Sequence, residues 1–135
     1  MANALFDKAR ESFLRGEIIW QTDAIKAVLV DSADYTVSLS THQFLSDIAV
    51  AGRVATSANF ASKTTTAGVA DAADTAFVGA TGDLSEAIVI YQDTGTAATS
   101  RLIAYIDTAT GLPVQPNTGD VNVVWDNGSN KILKL

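Results

Sequence analysis

Short runs of alternating apolar and polar residues follow one another along most of the chain, with turn residues between them. Glu86 to Tyr91, Arg101 to Ile106, Asp120 to Trp125 and Lys131 to Leu135 are rich in β-branched and aromatic residues, the side chains that suit a pleated strand. In the first two runs apolar residues occupy both faces. Ile88 and Ile90 oppose Val89 and Tyr91; Ile103 and Tyr105 oppose Leu102, Ala104 and Ile106. A strand apolar on both sides is covered on both sides, so these two are predicted at the centre of a sheet. Ala24 to Val30 reads as a third strand, with Ile25, Ala27 and Leu29 on one face and Lys26, Val28 and Val30 on the other. Arg53 to Ser57 alternates weakly and fits an edge strand. From Ala58 to Gly82 the chain is rich in Ala, Thr, Gly and Asp. Short strands at Val69–Asp71 and Thr75–Val78, joined by loops, are expected there, in the region most dependent on a neighbour for its order.

The period changes near the N-terminus. Residues 3–15 read as a helix, with Leu5, Phe6, Ala9 and Phe13 in one stripe about 100° wide. Asn3 is the expected cap and Gly16 the natural stop. The stripe is expected to pack on the chain's own sheet. A short extended piece is expected at Tyr35 to Leu39, then a second short helix over Ser40 to Ile48, opened by a hydroxyl cap. Asp31 to Asp34, Gly95 and Gly111 to Pro116 mark turns, and Asp126-Asn127-Gly128-Ser129 reads as a tight hairpin because Asn-Gly tolerates positive φ. These elements predict a mostly β fold: an antiparallel sandwich, jelly-roll-like or barrel-like domain with one N-terminal helix and a short second helix. Residues 1–135 read as a single domain, the helix at about 3–15 and the β domain at about 18–135.

Composition narrows the chemistry. The chain is 47% hydrophobic and 18% charged, enough apolar material for one core. Cysteine is absent, which removes disulfides, thiolate chemistry and Cys-based metal sites. The net charge is −6 and the nine basic residues are scattered, which argues against nucleic acid as a partner. No apolar run reaches the ~18–20 residues of a membrane span, and Met1 to Gly16 lacks the apolar region of a signal peptide, so a cytoplasmic origin is expected.

Candidate catalytic residues are few. His42 is the only histidine, so any Ser–His–Asp triad would have to use it, yet no nucleophile elbow supplies the serine. Asp93-Thr94-Gly95 follows an apolar run, as the catalytic triplet of aspartic proteases does. Tyr91-Gln92 before it and Thr96 after it depart from that pattern, and a turn in which Asp93 bonds backbone amides is the expected role. Asp71, Asp74, Asp83 and Glu86 form an acidic set without calcium-loop spacing. Gly79-Ala80-Thr81-Gly82 lacks the lysine of a phosphate loop. Asn127-Gly128-Ser129 matches a glycosylation sequon, but its turn chemistry is the expected reading. No catalytic residue, cofactor or metal ligand is therefore predicted. Trp125 is assigned to the core, while Leu5, Phe6, Trp20, Tyr35, Phe44 and Phe60 are the candidate partner interface.

Several stretches together carry a resemblance: Met1-Ala2-Asn3-Ala4-Leu5-Phe6-Asp7-Lys8, Ile25-Lys26-Ala27-Val28-Leu29-Val30-Asp31, Tyr35-Thr36-Val37, Asp93 through Ile103, and Val124-Trp125-Asp126-Asn127-Gly128. In style and order they resemble small structural proteins of tailed bacteriophages. The resemblance implies a capsid cement or decoration protein, a small β domain bound to the outside of the shell as a dimer or trimer. Its partners would be the major capsid protein or other virion proteins, its location the virion, after assembly in the host cytoplasm. A neck or tail component is the alternative within that group. From other classes come a carbohydrate-binding β-sandwich, which would present a row of exposed Trp and Tyr, and a hydrolase with an unrecognised site.

Overall fold

The computed structural model describes residues 3–135; Met1 and Ala2, the start of the stretch Met1 to Lys8 quoted above, lie outside them. Along the described chain run β1 (Ala4–Leu5), α1 (Asp7–Leu14), β2 (Ile25–Val30), β3 (Arg53–Thr56), β4 (Thr64–Thr66), β5 (Val69–Asp71), β6 (Thr75–Phe77), β7 (Ala87–Gln92), β8 (Leu102–Ile106), β9 (Val121–Val123) and β10 (Leu133–Lys134). Strands β1-β8-β7-β2-β3 form a five-stranded sheet, β10-β5-β4 a three-stranded sheet and β6-β9 a two-stranded ribbon. Every pairing is antiparallel. The fold is mostly β, as the alternation predicts.

The five-stranded sheet is the centre of the molecule, and its apolar sequence explains why. One face, carrying Ile25, Ala27, Leu29, Ile88 and Ile90, packs under the smaller sheets with Trp20, Phe60, Phe77, Trp125 and Leu133. The other, carrying Val28, Val30, Val89, Tyr91 and Leu102, packs under Phe6 and Ala9 at the helix and under Tyr35, Leu45 and Ile48. Each large aliphatic side chain buried this way contributes about 1.5–3 kcal/mol. Strand β8 carries one extra residue: Tyr91 pairs with Leu102 and Ile90 with Ala104, leaving Ile103 unpaired. This bulge keeps both Ile103 and Ala104 on the ribbon side. The Phe6 N–H donates to the Ile103 carbonyl at 3.0 Å.

The helix is shorter than the stripe predicts. Ala4 and Leu5 pair with Tyr105 and Ala104, and Phe6 remains extended at φ −69°, ψ 141°. Antiparallel pairing with β8 satisfies the backbone there, so the helix begins only at Asp7. Asn3 therefore caps no helix. Its Oδ1 accepts from the N–H groups of Asp107 and Thr108, and its Nδ2 donates to the Thr108 carbonyl. Gly16 does stop the helix: at φ 74° its N–H reaches the Phe13 carbonyl while the Glu17 N–H reaches Ser12, a Schellman motif.

The second helix contracts to a 3-10 turn, Leu45–Asp47, followed by another at Val50–Gly52. The helix cannot start earlier because the residues before it are paired with the strand end: Phe44 bridges Arg101, and the Gln43 carbonyl accepts from the Leu102 N–H. Tyr35 to Leu39 has no ladder partner among the described residues. The segment 58–82 supplies three strands, β4 to β6, rather than two. Its tight hairpin is Ala67-Gly68, since Thr66 pairs with Val69 and φ is 53° and 79° at the two loop residues, as a type I′ turn requires. Asn127-Gly128 is not a hairpin. β9 pairs with β6 and β10 with β5, so that turn carries the chain from one small sheet to the other.

Candidate functional site

Four of the six side chains predicted at a partner interface are core. Phe6 is 0% exposed, Trp20 4%, Tyr35 5% and Phe60 5%; Leu5 and Phe44 are half-buried. The aromatic group has a structural task. Trp20 meets Phe60 edge-on at 6.1 Å between centroids, and Phe60 lies 5.3 Å from Trp125. The Trp20 indole N–H donates to the Asp71 carbonyl and that of Trp125 to Ala73, so the polar edge of each ring is satisfied inside the fold. These rings fasten the small sheets to the central one and have little surface to offer.

Polar clusters sit at the ends of the central strands. Gln92 on β7 donates through Nε2 to the Glu17 carbonyl and to Asp23 Oδ2. Arg101 donates to Gln92 Oε1 at 3.3 Å and to Glu17 Oε2 at 3.4 Å, and its guanidinium lies 5.9 Å from the Phe44 ring centroid. Lys26 on β2 meets Asp93 at 2.8 Å. That hydrogen bond, with a second from the Gly95 N–H, holds the Asp93 carboxyl below the usual carboxylate range. Asp93 thus makes the turn contact expected of it.

His42 joins another local cluster. Its Nδ1 lies 2.7 Å from the Tyr35 hydroxyl and accepts from the Ser38 N–H at 3.3 Å, so the neutral ring carries its proton on Nε2. Burial pushes the Tyr35 hydroxyl pKa up. Burial also raises the Asp47 carboxyl, but N–H donors from Gln43 and Phe44 outweigh it and leave the net shift downward. The acidic set read from the sequence does not assemble. Asp74 accepts from the Trp125 N–H and Glu86 from the Ser32 N–H. Asp83 instead joins Asp31 and Asp34, their carboxylates within 4.8 Å of one another. Asp31 is already committed to the Ala33 N–H, and acidic side chains gather this way in many turns without binding an ion.

Large apolar side chains do reach solvent, at positions outside the predicted interface. Leu14 is 89% exposed, Ile19 53% and Leu135 60%. They surround two adjoining grooves of about 330 and 460 Å³ that share Phe13 and Leu135. Val78 and Val124, 77% and 73% exposed, border a third groove on the outer side of the β6-β9 ribbon, which shares no lining residue with the first two. Sequence phase holds the signal for Val124: it is out of step with Val121, Val123 and Trp125. Leu14 follows Phe13, the last residue of the apolar stripe, and so falls outside that stripe.

No protein-family model matches the chain, and no match is found among curated proteins.

Proposed function

We propose that this chain is a structural virion protein, most specifically a capsid cement or decoration protein that bridges and stabilises major capsid subunits. The observation that carries the proposal is the pair of separate apolar faces, around Leu14 and Leu135 and around Val78 and Val124. A subunit with more than one contact face can touch more than one neighbour. Whatever binds only the assembled shell stabilises it by mass action, and several weak contacts made together raise the effective affinity. The phage-like order of the sequence supplies the context in which such bridging is useful. A sugar platform is less well supported, because both tryptophans are buried.

Quantitative mass spectrometry and cryo-electron microscopy of purified particles test this reading. A cement protein is present in numbers comparable with the major capsid protein and lies on the shell exterior. A few copies at the portal would replace cement with a neck or tail role. Complete absence from particles would overturn the virion assignment.

A further inference from the structure

We infer that the chain associates with a second copy of itself head to tail, the Leu14 face of one molecule seating on the Val124 face of the next. Charge on the two faces argues for this occupant. Lys134 and Arg10 line the groove beside Leu14 and Leu135 and the neighbouring groove along β1 and β10. No acidic residue lines these grooves, or the one that reaches Ile19, among the described residues. In a chain of net charge −6, that is a local reversal of sign. Asp7 does pair with Arg10, at 3.1 Å, but on an exposed flank with both side chains more than half exposed, where such a pair is weak.

The second face has the opposite character. Asp74 lines its groove and no basic residue does, among the described residues. Asp120 stands at its other end, where its Oδ1 accepts from the Gly79 N–H next to Val78. Lys131 and Asp126 line the groove on the far side of Val124 together, so their charges offset. The charged side chains lining one apolar face are therefore basic and those at the other acidic.

Complementary charge around apolar centres favours face-to-opposite-face contact. A two-fold contact of the first face with itself would bring Arg10 and Lys134 against their own copies, and a two-fold contact of the second would oppose carboxylates. The favoured contact is thus heterologous, the kind that closes into a ring or runs on as an open chain. The inference draws on the same two faces as the virion reading but is tested apart from it, because purified protein alone displays self-association.

Sedimentation velocity on the full chain over a range of concentrations provides the test. Wild type is expected to grow in mass with concentration, less so at high salt, where exposed charges are screened. Leu14→Glu and Val124→Lys each reverse the character of one face at an exposed side chain. Each variant alone is expected to remain monomeric, with the circular dichroism of wild type. Mixed in equal amounts, they retain one intact face each and should regain association, as a heterodimer at least. A monomeric wild type at all concentrations would overturn the inference. So would self-association of either variant alone, which requires a contact through a single face. Neither result bears on whether the protein is found on particles.

Discussion

The central sheet has two covers built on different principles. On one side lie the small sheets, whose strands are at most three residues long but pair with one another, so their backbone groups are satisfied by ladders. On the other lie α1 and the irregular stretch from Tyr35 to Ile48, which has little ladder of its own. There the side chains do the work of the missing backbone partners. Asp47 accepts from two N–H groups, Asp31 from Ala33, and His42 from Ser38. The ribbon cover needs something to attach it, and the aromatic group supplies that. The coil cover needs something to hold its own shape, and polar side chains supply it. The two should therefore fail differently.

The largest expected effect separates them directly. Trp125→Ala removes a buried ring that touches Phe60 and bonds to Ala73, at a cost of about 3–5 kcal/mol, a large part of a typical domain's stability. Hydrogen exchange should show β4, β5, β6 and β9 losing protection while β2 and β7 retain most of theirs. Equal loss in β7 would mean that the ribbon cover and the sheet open as one unit. The matching cut on the coil side is Tyr35→Phe. It deletes the hydroxyl bonded to His42 and should lower stability by about 1 kcal/mol, with the loss of exchange protection confined to residues 38–48.

The contrast also explains what was legible in the sequence. Strands β2, β7 and β8 could be read to within about a residue because their long side chains alternate or fill both faces. Of the strands in the small sheets only β4 could not be read, because Thr64, Thr65 and Thr66 carry no apolar phase and are all exposed. Trp20 and Phe60 look like docking anchors because each lies outside every predicted strand, where no alternation marks it as facing inward. Ala4 and Leu5 were hidden for another reason: Leu5 and Phe6 also fit the helical stripe, and only pairing with a strand nearly a hundred residues away decides between the two conformations. The exposed faces are hard to see because phase alone marks them: Leu14 and Val124 each stand one residue out of step with an inward-facing neighbour.

A gain of stability should also be obtainable, and only on the ribbon side. Ala67 holds φ 53°, a left-handed conformation that costs a residue with a Cβ about 1–2 kcal/mol. Asn tolerates that region, and Asn-Gly is the favoured pair for a two-residue hairpin. Ala67→Asn, at an exposed site, should therefore raise the urea midpoint by the equivalent of about 0.5–1 kcal/mol at unchanged slope. Slower exchange at Thr66 and Val69 would place the gain in the hairpin. An unchanged midpoint would mean that the turn is already relaxed.

The smallest effect is electrostatic and belongs to the coil side of the sheet, where Lys26 shares its face with Val28 and Val30. The Lys26–Asp93 hydrogen bond lowers the carboxyl pKa and raises that of the ammonium. A lowered carboxyl adds stability that is complete above its ordinary value of 3.8 and is lost as pH falls through the folded value. A raised ammonium adds stability that is complete below its ordinary value of 10.5 and is lost as pH rises through the folded value. The pair therefore contributes fully only between those ordinary values. Asp93→Asn should cost about 0.5 kcal/mol near neutral pH, with the difference from wild type vanishing once acid protonates Asp93. The amide oxygen can still accept from the Gly95 N–H, whereas Asp93→Ala loses that bond too and should cost more at every pH. If the Asn variant lies below wild type by the same amount from acid to neutral pH, the stabilisation comes from the turn and not from the charge.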